Sequence, residues 1–186
     1  MKKIILASNS PRRKELLTQV GIEFEVISAD IDEISEYMKA SDVVCDLSQK
    51  KAKAVYNANP GRIVLAADTV VALDDEILGK PIDSADALHM LRRLSGRSHQ
   101  VYTGVTIIEE NGNVKTFYKC TEVEMYNNDD NTLMSYILTG EPMDKAGAYG
   151  IQGIGAMLVR GINGDYNNVV GLPISAVYRE LKKLSE

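Results

Sequence analysis

Short apolar runs alternate with helix-type patterns along the first part of the sequence, and this alternation limits the fold more than any other feature. Residues 2–8 indicate a buried strand, residues 11–21 a helix ended by a glycine, and residues 24–28 a second strand. A further helix is predicted over residues 40–58, followed by a strand over residues 62–73. Strands that alternate with helices in this way indicate an α/β fold.

A long hairpin is predicted in the second part of the sequence. The β-forming runs 99–110 and 114–126 flank Asn111-Gly112, a pair that favours a tight hairpin turn. The other predicted elements are a short strand at residues 76–79 and helices over residues 84–96, 129–139 and 174–186. Ser84 is expected to cap the first of these helices. We therefore predict one mixed α/β domain over residues 1–186, with a long antiparallel hairpin flanked by helices.

Composition narrows the functional classes. The chain has 186 residues, enough for one domain with a sizeable core, and its net charge of −5 disfavours a non-specific nucleic-acid binder. No apolar stretch approaches the ~20 residues that a membrane-spanning helix needs. Cys45 and Cys120 lie far apart and form no CxxC pair, which fits a reducing compartment. We expect a cytoplasmic protein that binds neither nucleic acid nor membrane.

Positive charge is crowded at the start of the first helix, in SNSPRRKELL at residues 8–17. Cations at a helix N-terminus are unfavourable by roughly 0.3–1 kcal/mol each. A bound phosphate would reverse this penalty, because the N–H groups of the first turn, Arg12, Arg13 and the Ser8 and Ser10 hydroxyls would converge on it. The alternative is an exposed helix start with solvated arginines.

Asp68 interrupts the apolar strand at residues 62–73 and is a candidate for chemistry. A carboxylate at the end of a central strand can hold a divalent cation or take a proton from water. The alternative is a structural aspartate bonded to backbone or paired with a lysine. Glu33 lies in an acidic loop that could add oxygen ligands, and Lys51 and Lys80 could offset phosphate charge or extend to solvent.

The glycine-rich segment over residues 147–171 contains no GxGxxG in the required order, and no GxxxxGK[ST] occurs anywhere in the chain. The two common nucleotide-loop motifs are therefore absent. Glycines still permit close backbone approach to a ligand.

Taken together, these pieces resemble the Maf family of nucleoside triphosphate pyrophosphatases along almost the whole chain. The resemblance rests on LASNSPRRKELL, DE at 32–33, KAKAV at 51–55, AADTVV at 66–71, LGKP at 78–81, LSGRSHQVYTGV at 94–105, GEPMDKAGAYGIQG at 140–153 and GDYNNVVGLP at 164–173. The LSGRSH and AGAYGIQG forms are similar to the branch that acts on dTTP and UTP. The stretch SEYMKASDVVCD departs from the usual pattern, and this departure affects the start of the helix over residues 40–58.

The resemblance implies a fold like that of the inosine triphosphate pyrophosphatases, with two lobes around a cleft, and hydrolysis of a nucleoside triphosphate to the monophosphate and pyrophosphate. It implies Mg²⁺ or Mn²⁺ as cofactor, a homodimer and a link to division. By the same resemblance Asp68 is the catalytic proton acceptor, and its share in metal binding beside Glu33 is left open. The substrate-binding residues it implies are Ser8, Arg12, Arg13, Lys51, Thr69, Lys80 and Gln152, of which Arg12, Thr69 and Gln152 affect substrate choice.

Two other functional classes use some of the same residues. A non-catalytic nucleotide sensor acting through a partner would need the same arginines and glycines. The carboxylates of Glu33 and Asp68 weigh against it, because they repel phosphates unless a metal intervenes. An RNA-binding module is disfavoured by the net charge of −5, the lack of tryptophan and only two phenylalanines.

Overall fold

The computed structural model describes residues 2–184, which form one mixed sheet flanked by helices. The strands are β1 (Ile4–Leu6), β2 (Phe24–Val26), β3 (Val64–Leu73), β4 (Glu76–Leu78), β5 (Ser98–Ile108), β6 (Val114–Met125) and β7 (Val159–Asn163). The α-helices are α1 (Pro11–Gln19), α2 (Ala40–Ala58), α3 (Ser84–Leu94), α4 (Asp130–Ile137), α5 (Tyr166–Val170) and α6 (Ile174–Lys183). Short 3₁₀ segments cover Glu141–Asp144, Ala146–Ala148 and Gly153–Leu158. The predicted mixed α/β class is confirmed.

The sheet combines parallel and antiparallel neighbours. Its strand order is β2-β1-β3-β5-β6-β7, and β4 pairs with β3. β1 runs parallel to both β2 and β3, whereas β4 is antiparallel to β3 and β7 is antiparallel to β6. The parallel neighbours are joined through α1 and α2, since parallel strands need a crossover connection. The predicted alternation of strands and helices at the N-terminal end is therefore confirmed.

The first of two compact units comprises the residues up to Asp68, Thr103–Lys119 and those from Gly171 onward. Its core joins β1, α2, β3 and the end of β5 through small and β-branched side chains. These are Ile5, Ala7, Ala52, Val55, Val64, Ala66 and Ile108. Helix α2 has the bounds that the sequence pattern predicted, because one face of its 3.6-residue period is apolar.

The second unit comprises Thr69–Tyr102 and Cys120–Val170. Its larger core packs α3 and α4 with strand residues and with the glycine-rich segment. Its buried members include Leu91, Leu94, Val101, Val123, Met125, Leu133, Tyr136, Ala148 and Leu158. Within this core Nε2 of His99 lies 2.6 Å from the hydroxyl of Tyr149, and His99 has no exposed surface.

Two turn and cap predictions have different outcomes. The hairpin around Asn111-Gly112 is confirmed, with the N–H of Gly112 bonded to the carbonyl of Glu109 at 2.9 Å. The predicted cap at Ser84 is wrong, because Ser84 is already the first residue of α3 and Asp83 precedes it. The Asp83 carboxylate accepts a hydrogen bond from the N–H of Asp86 at 2.8 Å. A carboxylate at this position also complements the positive end of the helix.

The C-terminal helix predicted over residues 174–186 is confirmed as far as Lys183, and Ser185 and Glu186 lie outside the described residues. Between Lys2 and Leu184, no helix is both long enough and apolar enough to cross a membrane.

Candidate active site

Asp68 is a buried carboxylate in β3. The four strand residues before it, Val64–Ala67, have no exposed surface, and Asp68 itself is 7% exposed. A buried charge needs a partner, and Nζ of Lys51 provides it at 2.6 Å from Oδ1 of Asp68. This contact is the lysine pairing that the sequence left open as a structural alternative. The ion pair alone therefore does not distinguish a structural aspartate from a catalytic one.

Lys51 also binds a second carboxylate. Helix α2 buries Leu47 and Val55 and holds Lys51 at helical spacing between them, with its side chain mostly buried. Nζ of Lys51 lies 2.8 Å from Oε1 of Glu33, whose side chain comes from the loop after β2 and is 57% exposed. One ammonium group thus links a buried carboxylate to an exposed one. This cluster holds two negative charges and one positive charge.

Arg13 lies on the first turn of α1 and is tied to two other segments of the first unit. Its Nε donates to the carbonyl of Gly171 at 2.9 Å, and its Nη1 donates to Oγ of Ser8 at 3.1 Å. The planar guanidinium is therefore held in one orientation by bonds to Ser8, two residues after β1, and to Gly171, three residues before α6. An arginine fixed in this way is ready to bind an anion without losing further side-chain freedom.

The Ser8 hydroxyl is an acceptor for two donors. Its Oγ accepts from Nη1 of Arg13 and from the N–H of Ser10 at 3.3 Å. A serine oxygen has two lone pairs and one hydrogen, so both lone pairs are engaged. Within residues 2–184 no acceptor for the hydroxyl hydrogen is present. The hydroxyl of Ser8 can therefore still donate one hydrogen bond.

Electrostatic coupling connects these residues. Burial lowers the pKa of the Arg13 guanidinium, the negative charge of Asp68 opposes this shift, and the positive charge of Arg12 adds to it. Glu33 also acts on the same group and raises its pKa. Asp68 and Glu33 thus stabilise the charge on Arg13 as well as the charge on Lys51. The structure brings Ser8, Arg13, Glu33, Lys51 and Asp68 into one cluster.

The start of α1 has no side-chain cap. Ser10 is the N-cap and Pro11 the first helical residue, yet the Ser10 side chain makes no capping hydrogen bond. The first turn contains no acidic residue. The positive end of this helix is therefore not neutralised by a side chain of its own first turn, which suits an external anion.

The second unit contains three other candidate site residues, Thr69, Lys80 and Gln152. Thr69 follows Asp68 on β3 and is half-buried. Lys80 is exposed two residues after β4, beside Gly79, whose carbonyl accepts from the N–H of Gly147 at 2.9 Å. Gln152 is half-buried and directly precedes the 3₁₀ segment Gly153–Leu158.

The oxygen donors in the Lys51 cluster suit a hard divalent cation. In the chain from Lys2 to Leu184, no three His, Cys, Asp or Glu side chains are grouped so that they could hold a metal. Glu33 and Asp68 supply two carboxylates, both within hydrogen-bond distance of one ammonium. Mg²⁺ is commonly bound by one or two carboxylates together with substrate phosphates. The residues present fit a metal that the substrate helps to hold.

Sequence reasoning missed two contributors. The carbonyl of Gly171 holds Arg13 although the two residues are 158 positions apart, and no local pattern marks such a contact. The second is Glu141, whose carboxylate accepts hydrogen bonds from the 3₁₀ segment after Gln152. The signal available for Glu141 was the glycine spacing in GIQGIG at residues 150–155.

Comparisons with known proteins find similar sequences over the whole chain. A family model described as Maf-like protein matches residues 3–184. A relative named dTTP/UTP pyrophosphatase from Bacillus cereus (strain ATCC 10987 / NRS 248) is 51% identical over 186 residues, covering 100% of this chain and 91% of its own. A protein of the same name from Bacillus anthracis is 50% identical, covering 100% of this chain and 97% of its own.

Solved structures support the fold alone. A HAM1 protein from Coxiella burnetii superposes with a TM-score of 0.57 at 16% identity, covering 98% of this chain and 100% of its own. The Ham1 protein of Staphylococcus aureus superposes with a TM-score of 0.54 at 16% identity, covering 85% of this chain and 80% of its own. The implied likeness to the inosine triphosphate pyrophosphatase type of fold is confirmed at the level of architecture.

Proposed function

The chain belongs to the Maf family, and from this premise we propose that it hydrolyses dTTP and UTP to the monophosphate and pyrophosphate. The observation that carries the proposal is the link from Lys51 to both Asp68 and Glu33, beside a tethered Arg13. A structural ion pair needs only one carboxylate. Here a second, exposed carboxylate, that of Glu33, binds the same ammonium group. Together with the N-terminus of α1, which can bind a phosphate, this arrangement suits a reaction on a polyanion.

Binding of the triphosphate begins with charge. Arg12, Arg13 and Lys51 provide three positive charges in the first unit, and the N–H groups at the start of α1 add the positive end of the helix dipole. The Ser8 hydroxyl donates its remaining hydrogen to a phosphate oxygen. By the family resemblance, Lys80 also binds the substrate. Lys51 also neutralises part of the carboxylate charge, which reduces the repulsion that Asp68 and Glu33 exert on the substrate.

Glu33 and Asp68 would hold the divalent cation, Mg²⁺ or Mn²⁺, together with oxygens of the substrate. When bound, such a cation supplies Lewis-acid polarisation of the phosphate.

Asp68 is the catalytic residue in this proposal. Its carboxylate accepts a proton from the water that attacks the α-phosphorus, while the bond from that phosphorus to the bridging oxygen breaks and pyrophosphate leaves. Burial and the bond to Lys51 hold Oδ1 of Asp68 in one place, and a fixed base reduces the entropy cost of the step.

Base choice falls to Arg12, Thr69 and Gln152. The carboxamide of Gln152 both donates and accepts hydrogen bonds, as the edge of uracil or thymine requires. A site built on such bonds rejects analogues that lack the matching groups. Within the proposal the chain acts as one catalytic domain over residues 1–186, as a homodimer in the cytoplasm. The resemblance alone supports the dimer, the removal of modified nucleotides and the link to division.

Product analysis tests the proposal. Purified protein is incubated with dTTP, UTP, CTP, 5-methyl-UTP or 7-methyl-GTP, and the products are separated by anion exchange. We expect UMP or dTMP with pyrophosphate, no product after metal removal with EDTA, and recovery on addition of Mg²⁺ or Mn²⁺. Release of orthophosphate would indicate a phosphatase instead. Tight nucleotide binding by calorimetry with no product over hours would favour a nucleotide sensor.

A further inference from the structure

Glu141 forms the centre of a hydrogen-bond network in the second unit that encloses the loop carrying Gln152. Its Oε2 accepts from the N–H of Ile154 at 3.0 Å, and its Oε1 accepts from the N–H of Gly155 at 3.0 Å. Both donors lie in the first turn of the 3₁₀ segment that follows Gln152. The carboxylate therefore binds the N-terminal end of this segment from outside.

Tyr136 closes the same loop from its other end. Its hydroxyl donates to Oε1 of Glu141 at 3.1 Å and accepts from the N–H of Gly150 at 3.1 Å. Glu141 and Tyr136 together thus bind backbone groups two positions before Gln152 and two and three positions after it. The hydroxyl is buried with Tyr136 in the core of the unit, so the network is fixed to rigid packing.

The glycines of this loop make room for the network. At Gly153, which has φ +65°, a Cβ would lie 2.8 Å from Oε2 of Glu141. At Gly155 a Cβ would lie 2.3 Å from the carbonyl oxygen of Gly150 and 2.7 Å from the Tyr136 hydroxyl. The close approach that these glycines permit is therefore to side chains and backbone of the protein itself.

The charge state of Glu141 supports this arrangement. Burial raises the pKa of its carboxyl, but the bonds from the N–H groups of Gly155 and Ile154 and from Tyr136 lower it by more, so the pKa is lowered overall. The side chain of Lys145 is mostly buried beside it, and Nζ donates to the backbone carbonyl of Glu141 at 2.6 Å. Glu141 is thus ionised at neutral pH and can accept all three hydrogen bonds.

We propose that Glu141, aided by Tyr136, is a positioning residue that holds the Gln152 carboxamide in the orientation that selects a uracil or thymine edge. Glu141 does not touch the substrate and acts only through the loop at residues 150–155. The proposal rests on the proposed function, because it needs Gln152 to contact the base. A loop of glycines without this network would leave Gln152 many backbone conformations, and selectivity would fall.

The test is the ratio of kcat/KM for UTP to kcat/KM for CTP, measured by pyrophosphate release. Glu141→Gln keeps the shape but turns an NH₂ group towards one of its N–H donors. We expect this ratio to fall about tenfold, the factor that one ordinary hydrogen bond is worth. The kcat/KM for CTP should stay within about twofold of wild type, because Glu141 is not part of the cluster of Lys51 and Asp68 in the first unit. Tyr136→Phe should lower the ratio in the same direction.

Two further variants separate positioning from general damage. Glu124→Gln removes an exposed carboxylate of the same unit, paired with Arg160, and should leave the ratio unchanged. Gln152→Ala should lower the ratio by itself, and adding Glu141→Gln to it should lower the ratio no further. Thermal unfolding shows whether each variant is folded. If Glu141→Gln does not fold, the UTP to CTP ratio of Tyr136→Phe tests the positioning role instead.

The outcomes are distinguishable. The positioning role would be overturned if Glu141→Gln lowered kcat/KM equally for UTP and CTP. It would also be overturned if Glu141→Gln kept the wild-type ratio while Gln152→Ala lowered it. Either result would leave the pyrophosphatase function standing. A wild-type protein that hydrolyses UTP and CTP equally well would refute base choice by Gln152 and the inference with it. A wild-type protein that releases no pyrophosphate from any of the nucleotides would refute the proposed function itself.

Discussion

Nζ of Lys51 lies 2.6 Å from Oδ1 of Asp68, and both side chains are mostly removed from solvent, with 15% and 10% of their surface exposed. A buried pair of this kind adds little net stability, but the loss of one partner leaves an uncompensated charge. The same ammonium also binds Glu33. Lys51 is therefore a cation shared by both carboxylates.

Replacement of Lys51 should affect stability as well as turnover. In Lys51→Met two carboxylates lose their shared cation, and we expect the free energy of unfolding to fall by about 3 kcal/mol. Urea denaturation measures this change. Lys53→Met is the matched control, since exposed Lys53 donates to Gln49 one turn away, and it should shift stability by less than about 0.5 kcal/mol.

A second variant tests whether the buried charge causes the loss. Adding Asp68→Asn to Lys51→Met removes the unpaired carboxylate, so the double variant should be more stable than Lys51→Met alone. An equally unstable double variant would show that Lys51 stabilises the fold through packing of its aliphatic stem instead.

The two bonds of Arg13 predict that lysine cannot replace it. A single ammonium group lacks the planar fork that reaches the Gly171 carbonyl and Oγ of Ser8 together. We expect Arg13→Lys to lower kcat/KM for UTP by about 10- to 100-fold, with most of the loss in KM if Arg13 acts mainly on phosphate binding. Arg62→Lys, at an exposed pair with Glu25, should have wild-type kinetics. Equal activity of the Arg13→Lys and Arg62→Lys variants would exclude a specific role for the guanidinium.

The predictable part of this protein is local in sequence. The bounds of α2 and the hairpin at Asn111-Gly112 follow from periodicity and turn chemistry that act over a few residues. Ser8 and Arg13 were also expected to act together, because both lie around the start of one predicted helix. The carbonyl of Gly171, 158 positions from Arg13, depends on how distant segments pack, and no residue-by-residue pattern encodes that. The Glu141 network was missed for a related reason. The Glu141 carboxylate accepts from backbone N–H groups, and these leave no mark in the sequence.

His99 predicts how stability changes with pH. Burial lowers its pKa from 6.5 to about 4, so the folded protein keeps the imidazole neutral where the unfolded chain takes up a proton. Neutral His99 therefore makes its full contribution to the free energy of unfolding above pH 6.5, and this contribution is lost as the pH falls towards 4. By pH 5 the free energy of unfolding should be lower by about 2 kcal/mol than at pH 7.5.

The two histidines allow a matched comparison for this pH effect. His99→Gln should remove most of the difference in unfolding free energy between pH 7.5 and pH 5, although its stability at pH 7.5 is lower. His89 is exposed on α3, and His89→Gln should keep the wild-type difference. Urea titrations at the two pH values provide the measurement. A pH dependence that persists in His99→Gln would assign the effect to carboxylates instead.

The central claim is that Asp68 performs the chemistry, and Asp68→Asn tests it most directly. The amide has nearly the same size and can still contact Lys51 through its oxygen, so the variant should fold and should still bind nucleotide. Single-turnover release of pyrophosphate from UTP, with saturating Mg²⁺, isolates the chemical step. We predict a rate at least about 10³-fold below wild type, within the range attributed to acid–base groups. A folded Asp68→Asn protein that releases pyrophosphate at the wild-type rate would contradict this account.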